Sequence, residues 1–299
     1  MGFAENSAQD ARRNNVKGCY WMILSMAAFA VEDLLLKLLS TALPLGQILM
    51  FFGAGGAMCF SALVWSSGER LWHPDVLSRP MRYRFFFEFT GRLFYILSLT
   101  LIPLSTATLI LQATPIVVVT GAAFLFGEKV SGLRWACIIV GFVGVALILQ
   151  PGAAGFSALA LITVVGVFGF AGRDLASRAA PETISAQLLG FYGFVTVLIA
   201  GFAYSLWDSK GFQYPDTPAT AYLVALILVG VGAYFTLMKA MRTGDVSFVT
   251  PFRYTRLLFG VFLGVVLLNE QIGLTATVGS LMIVGAGMVL GIKRNTSSK

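Results

Sequence analysis

The sequence predicts an all-α integral membrane protein, with ten transmembrane helices arranged as two five-helix repeats that enter the bilayer from opposite sides. Three observations predict it. Of the 299 residues, 57% are hydrophobic and only 12% charged, whereas water-soluble domains carry about a quarter charged residues. Ten apolar segments are each long enough to cross a hydrocarbon core, which takes about 20 residues of helix. Three short sequences also recur, in the same order, about 141 residues apart.

The first span is expected at residues 18–39. Arg12, Arg13, Lys17 and the run Ala28-Phe29-Ala30 imitate a secretory signal, but the apolar stretch continues past Glu32 and Asp33 to Leu39, so the segment is read as a retained span. The first half continues with spans at 45–65, 83–101, 104–126 and 132–150. The second half holds spans at 156–178, 183–206, 218–240, 247–268 and 275–292. Most connections are short, which makes consecutive helices antiparallel neighbours. The expected organisation is a tail at 1–16, one repeat at 17–150, a second at 151–293 and a tail at 294–299.

Orientation follows from the basic residues. Arg12, Arg13, Lys17, Arg70, Arg79 and Arg82, together with Lys129, Arg178, Lys239 and the C-terminal Lys293 and Arg294, all fall beside one set of span ends. Loops at the other ends hold only Lys210. Both termini are therefore expected in the cytoplasm, and the chain in a bacterial inner membrane. The net charge of +7 is then a membrane-orientation signal, so lipid is the expected surface partner and nucleic acid is not. No protein partner is implied. Cys19, Cys59 and Cys137 sit in apolar segments and His73 is the single histidine, which leaves no ligand set for a transition metal. No cofactor is expected.

The repeat is visible by alignment. Phe29–Lys37 (FAVEDLLLK) returns as Phe170–Arg178 (FAGRDLASR), Gln47–Gly53 (QILMFFG) as Gln187–Gly193 (QLLGFYG), and Phe124–Lys129 (FLFGEK) as Val266–Gln271 (VLLNEQ). A repeat of five spans inverts its own second copy, an arrangement common in secondary transporters, whose cargo site lies at the repeat interface near the bilayer midplane.

On these residues the chain resembles the drug/metabolite transporter superfamily with two EamA-type repeats. The Gly127-Glu128 and Asn269-Glu270 pairs, the glycine helices with Gly141 and Gly144 or Gly285 and Gly287, and Pro115 and Pro251 carry the resemblance. Asn269 departs from the usual glycine, and Pro251 lies 19 residues before its glutamate against 13 for Pro115. The resemblance implies a basket of ten helices, a central cavity lined by the first, third, fourth, sixth, eighth and ninth, and alternating access without ATP hydrolysis. More narrowly, the chain is similar to amino-acid exporters of the YddG type.

Ionisable residues inside spans are costly unless paired or hydrated, which makes them candidates for the site. Glu88, Arg92 and Tyr95 share one face of the third span. Glu32 aligns with Arg173, the one charge reversal between the repeats. Arg256, with Tyr254 and Arg253 beside it, offers a guanidinium fork suited to a carboxylate. Gln112 lies at a proline-containing point of the fourth span, and Tyr234 and Tyr254 offer rings. The expected substrate-binding set is Glu32, Glu88, Arg92, Tyr95, Gln112, Arg173, Tyr234, Tyr254 and Arg256. A scaffold role is expected for the i, i+4 pairs Asp33–Lys37 and Asp174–Arg178, for Pro115 and Pro251, and for Glu128 and Glu270 at span ends. The function expected from this set is export of aromatic and other zwitterionic amino acids by a secondary transporter. The alternative is another small cargo, such as a vitamin, a nucleotide sugar or a lipophilic cation. No nucleophile with a histidine partner lies within a span, and an enzyme is not expected.

Overall fold

A computed structural model describes residues 2–125, 132–150, 157–181, 183–208, 210–243 and 249–292. They form α1 (Gly2–Leu39), α2 (Leu45–Ser66), α3 (Arg79–Leu101), α4 (Leu104–Leu111), α5 (Thr114–Leu125), α6 (Gly132–Leu149), α7 (Ala160–Arg178), α8 (Ala186–Trp207), α9 (Thr217–Thr243), α10 (Thr255–Leu268) and α11 (Leu274–Ile292). A short 3₁₀ turn, Thr250–Tyr254, leads into α10. Because α4 and α5 are two halves of one pass, the described residues make ten passes. α1 starts at Gly2, so the segment expected as a tail continues the first helix. Among the described residues no strand occurs, and the protein is an all-α membrane protein built of inverted repeats.

Five passes are long and apolar enough on their own: Leu45–Ser66, Leu104–Leu125, Ala160–Ser177, Ala186–Trp207 and Thr217–Met241. Within α1 and α3, Glu32, Asp33, Arg84, Glu88 and Arg92 are buried in the bundle, whereas Lys17, Arg79 and Arg82 nearer the helix starts are exposed.

Local sequence sets the ends and breaks. Pro44 and Pro103 precede α2 and α4, and Ser185 caps α8 by accepting the Leu188 N–H at 3.1 Å. The α4/α5 break follows from Pro115, which has no N–H to give the Leu111 carbonyl. The Thr114 hydroxyl donates to that carbonyl instead, at 2.7 Å, so the freed backbone acceptor is satisfied inside the membrane. α10 ends at Asn269 in the left-handed region, φ 53°, with the Glu270 N–H donating to the Gly264 carbonyl at 3.0 Å. Asparagine tolerates this conformation better than other side-chain-bearing residues, which explains how it stands where the family pattern has glycine.

Helix packing obeys the repeat. Exchanging the first five passes for the second five turns the α3–α7 contact into the α9–α1 contact, and maps α2–α8, α6–α11 and the α4–α10 contact onto themselves; all of these contacts occur. Three are close backbone approaches: a Cβ on Gly53 of α2 would lie 2.3 Å from the Leu198 nitrogen of α8. A Cβ on Gly169 would lie 2.3 Å from the Gly91 nitrogen, and one on Gly144 would lie 2.6 Å from the Gly279 carbonyl oxygen. Small residues at such crossings let helices pack in lipid, where the hydrophobic effect gives no drive to association.

Candidate functional site

Charged side chains from α1, α3, α7, α10 and the turn before it meet at the centre of the bundle. Asp33 accepts Arg256 Nη2 at 2.8 and 2.7 Å on its two oxygens and the Tyr95 hydroxyl at 3.0 Å. Its neighbour Glu32 accepts Arg92 Nη1 at 2.8 Å. Glu88 stands among three guanidiniums, 3.4 Å from Arg173, 3.5 Å from Arg84 and 3.6 Å from Arg92. Arg173 donates twice to Asp174 Oδ1, at 3.0 and 2.8 Å, and Arg253 lies 3.6 Å from Asp174 Oδ2. Each ion would cost several kcal/mol to bury alone; here every one has an opposite charge within reach.

Aromatic rings of the repeated segment hold the arginines. Phe29 lies under Arg256, 5.1 Å from ring centroid to guanidinium carbon. Its repeat counterpart Phe170 lies 4.9 Å from Arg173 and 6.0 Å from Arg92. Symmetry extends to the acids. Asp33 and Asp174 occupy matching repeat positions, and both reach the segment Pro251–Arg256, one through Arg256 and the other through Arg253.

These groups border a cavity of about 90 Å³ lined by residues that include Phe29, Arg92, Tyr95, Gln112, Pro115, Phe170, Arg173, Asp174, Tyr234, Arg253 and Arg256. It sits at the α4/α5 break, on the interface between the repeats. The volume suits a handful of waters. At the end of the bundle away from the basic loops, the helices are tied together. Lys37 donates to the carbonyls of Leu99 at 3.0 Å and Ile102 at 2.6 Å. Glu270 accepts the N–H groups of Leu104 at 2.6 Å and Ser105 at 2.8 Å, which places a carboxylate at the positive end of α4.

Of the residues singled out from sequence, Arg92, Tyr95, Gln112, Arg173, Tyr234 and Arg256 line the cavity. Glu32 and Glu88 stand behind it, buried against its arginines. Glu32 and Arg173 do not touch; Arg92 and Glu88 link them. Tyr254 is turned toward α11, against Gly287. The expected Asp33–Lys37 pair is replaced: the Arg256 fork takes the aspartate, and Lys37, a turn further along α1, takes backbone carbonyls instead. Asp174 pairs with Arg173 and Arg253; Arg178's side chain and Glu128 lie outside the described residues. Sequence reading did not single out Arg84, which stands at the start of the third expected span. It is 1% exposed and donates to Ser177 Oγ at 3.0 Å. The spacing Arg84, Glu88, Arg92 along one face of α3 was the signal that could have found it.

A ten-pass bundle of interlocked inverted repeats around a charged, ring-lined cavity defines the class of secondary membrane transporters built this way. The chain belongs to the EamA-like transporter family, whose profile matches residues 16–150 and again residues 157–292. It is 25% identical over 299 residues to the S-adenosylmethionine uptake transporter of Rickettsia prowazekii, covering 97% of this chain and 98% of that one. Identity to the riboflavin transporter of Rhizobium johnstonii is 28% over 259 residues, with 83% and 82% covered. The pseudopaline exporter CntI of Pseudomonas aeruginosa is 23% identical over 278 residues, with 91% and 95% covered. A solved crystal structure at 19% identity superposes with a TM-score of 0.62 over 96% of this chain and 99% of that chain, which shows the shared fold. The chain is thus a multi-pass membrane transporter of small metabolites.

Proposed function

We propose that the protein is an alternating-access carrier for a metabolite that joins a zwitterionic amino-acid head to a flat heteroaromatic ring, with S-adenosylmethionine as the cargo. The observation that carries this reading is a single cavity bordered at once by guanidiniums, the Asp174 carboxylate and the rings of Phe29, Tyr95, Phe170 and Tyr234. Guanidiniums suit a carboxylate, a carboxylate and ring faces suit an ammonium or sulfonium, and rings suit a base. The free amino acids expected from sequence supply the same head. S-adenosylmethionine adds the ring and matches the name of a relative that aligns along nearly the whole chain. In this reading the basic-loop side is cytoplasmic, and the Lys37 and Glu270 contacts close the opposite side. A carrier without a coupled ion runs in either direction, down the gradient of its cargo.

The test is counterflow in proteoliposomes without ATP, with labelled S-adenosylmethionine, riboflavin, phenylalanine and tryptophan. Saturable exchange of S-adenosylmethionine, competed by unlabelled S-adenosylmethionine and weakly by the free amino acids, is the expected result. Exchange of riboflavin alone would overturn the cargo and leave the carrier.

A further inference from the structure

We infer that Arg253 and Gln112 form the subsite that receives the carboxylate of the cargo, an inference that rests on the zwitterionic reading above. The starting point is a charge inventory. Among the described residues the central network holds five arginines, Arg84, Arg92, Arg173, Arg253 and Arg256, against four carboxylates, Glu32, Asp33, Glu88 and Asp174. With all of them ionised, one positive charge is in excess at membrane depth. A carboxylate set against the guanidinium that lacks a partner of its own offsets that charge locally, and the cargo's ammonium and sulfonium are left to the Asp174 carboxylate and the ring faces.

The geometry assigns that excess to one residue. Arg256 is locked on Asp33 by a two-pronged contact and two flanking rings, Phe29 and Tyr95. Arg92 donates to Glu32 at 2.8 Å, and Arg173 makes two short bonds to Asp174. Arg84 is buried away from the cavity, on Ser177, the Leu189 carbonyl and Glu88. Arg253 alone among the five has no hydrogen bond among the described residues. Its one ionic neighbour, Asp174, is 3.6 Å away and already held by Arg173. Its side chain is 28% exposed, the most open of the network arginines, and it borders the cavity.

A second donor stands on the same cavity. Gln112 is 5% exposed, and its Nε2 has no hydrogen-bond partner. A buried amide donor left unpaired is destabilising, and such a group in a native structure calls for a missing acceptor. Gln112 sits where α4 stops, and Arg253 in the 3₁₀ turn that opens the matching pass of the other repeat. A carboxylate between them takes the guanidinium on one oxygen and the amide on the other. Tyr254, whose hydroxyl is also unpaired, is excluded because it faces Gly287.

The test compares S-adenosylmethionine with its decarboxylated analogue in proteoliposome counterflow, using the wild type, Arg253→Met, Arg253→Lys and Gln112→Met. The readout is the ratio of half-saturation concentrations for the two cargoes. The wild type is expected to prefer the carboxylate-bearing cargo by about tenfold, the scale of one charge-assisted hydrogen bond. The ratio should collapse toward one in Arg253→Met and Gln112→Met, and fall part-way in Arg253→Lys, which keeps the charge without the fork. Because the ratio is internal to each variant, a general loss of activity does not imitate the effect. An unchanged ratio in Arg253→Met and Gln112→Met overturns the subsite while leaving the cargo. A wild type that carries neither compound overturns the cargo reading, and this inference with it.

Discussion

Asp33 shows how one buried carboxylate can depend on a distant residue. Its oxygens accept from Arg256, 223 positions along the chain, and from Tyr95. Removing one member of such a pair leaves an uncompensated charge, at about 3–5 kcal/mol, whereas removing both is often nearly neutral. Asp33→Asn and Arg256→Met should each lower the unfolding temperature in detergent, and the double variant should recover most of the loss. Additive losses in the double variant would show that the two residues do not act as a pair. Sequence reading identified nearly all of the intramembrane charges, because an ion in an apolar run stands out. It could not choose their partners. Spacing along a helix offered Lys37 to Asp33, and only the fold brings Arg256 closer. Arg84 was missed for a related reason: it lies one turn inside the basic end of α3, where hydropathy alone cannot separate a loop from a buried turn.

Helices in this bundle pass one another at glycines, and those crossings separate glycines that matter from glycines that do not. At Gly169 an added methyl would meet backbone, 2.3 Å from the Gly91 nitrogen, whereas at Gly285 nothing lies within 4 Å. Gly169→Ala is expected to cost about 3 kcal/mol or more, at or beyond the upper end of ordinary overpacking, because backbone cannot yield as a side chain does. Gly285→Ala is expected to be neutral or stabilising, since alanine favours helix by about 1 kcal/mol over glycine. Thermal unfolding with size-exclusion profiles measures both. Equal stability of the two variants would mean that α3 and α7 are not in backbone contact. Sequence reading picked out the glycine-bearing helices and a proline-containing point in the fourth span, without the α4/α5 break. Which glycine touches which neighbour depends on helix rotation, which composition does not encode.

For the molecule as a whole, the repeats were legible because sequence similarity survives between them and because a five-span unit inverts its copy. Their interlocking was not. The most extensive helix contacts all join one repeat to the other: α2 with α8, α3 with α7, α1 with α9, and α6 with α11. Each repeat therefore leaves its largest apolar faces uncovered when alone. Chains cut within residues 151–156 and expressed together should assemble into a complex that co-purifies and exchanges cargo, whereas either piece alone should aggregate in detergent. A monodisperse, stable first half purified by itself would contradict the packing.

The close crossing of Gly91 and Gly169 has a mechanical meaning. Two helices in backbone contact move as one piece, and these two come from different repeats. The unit that was duplicated in the sequence is consequently not the unit that packs most closely. Under the alternating-access reading proposed above, the bodies expected to rock are hybrids, such as α3 with α7 and its mirror α1 with α9. The ion pair of Glu32 with Arg92 and the hydrogen bond that Tyr95 donates to Asp33 join one hybrid to the other, so on that reading a change of state is expected to loosen them.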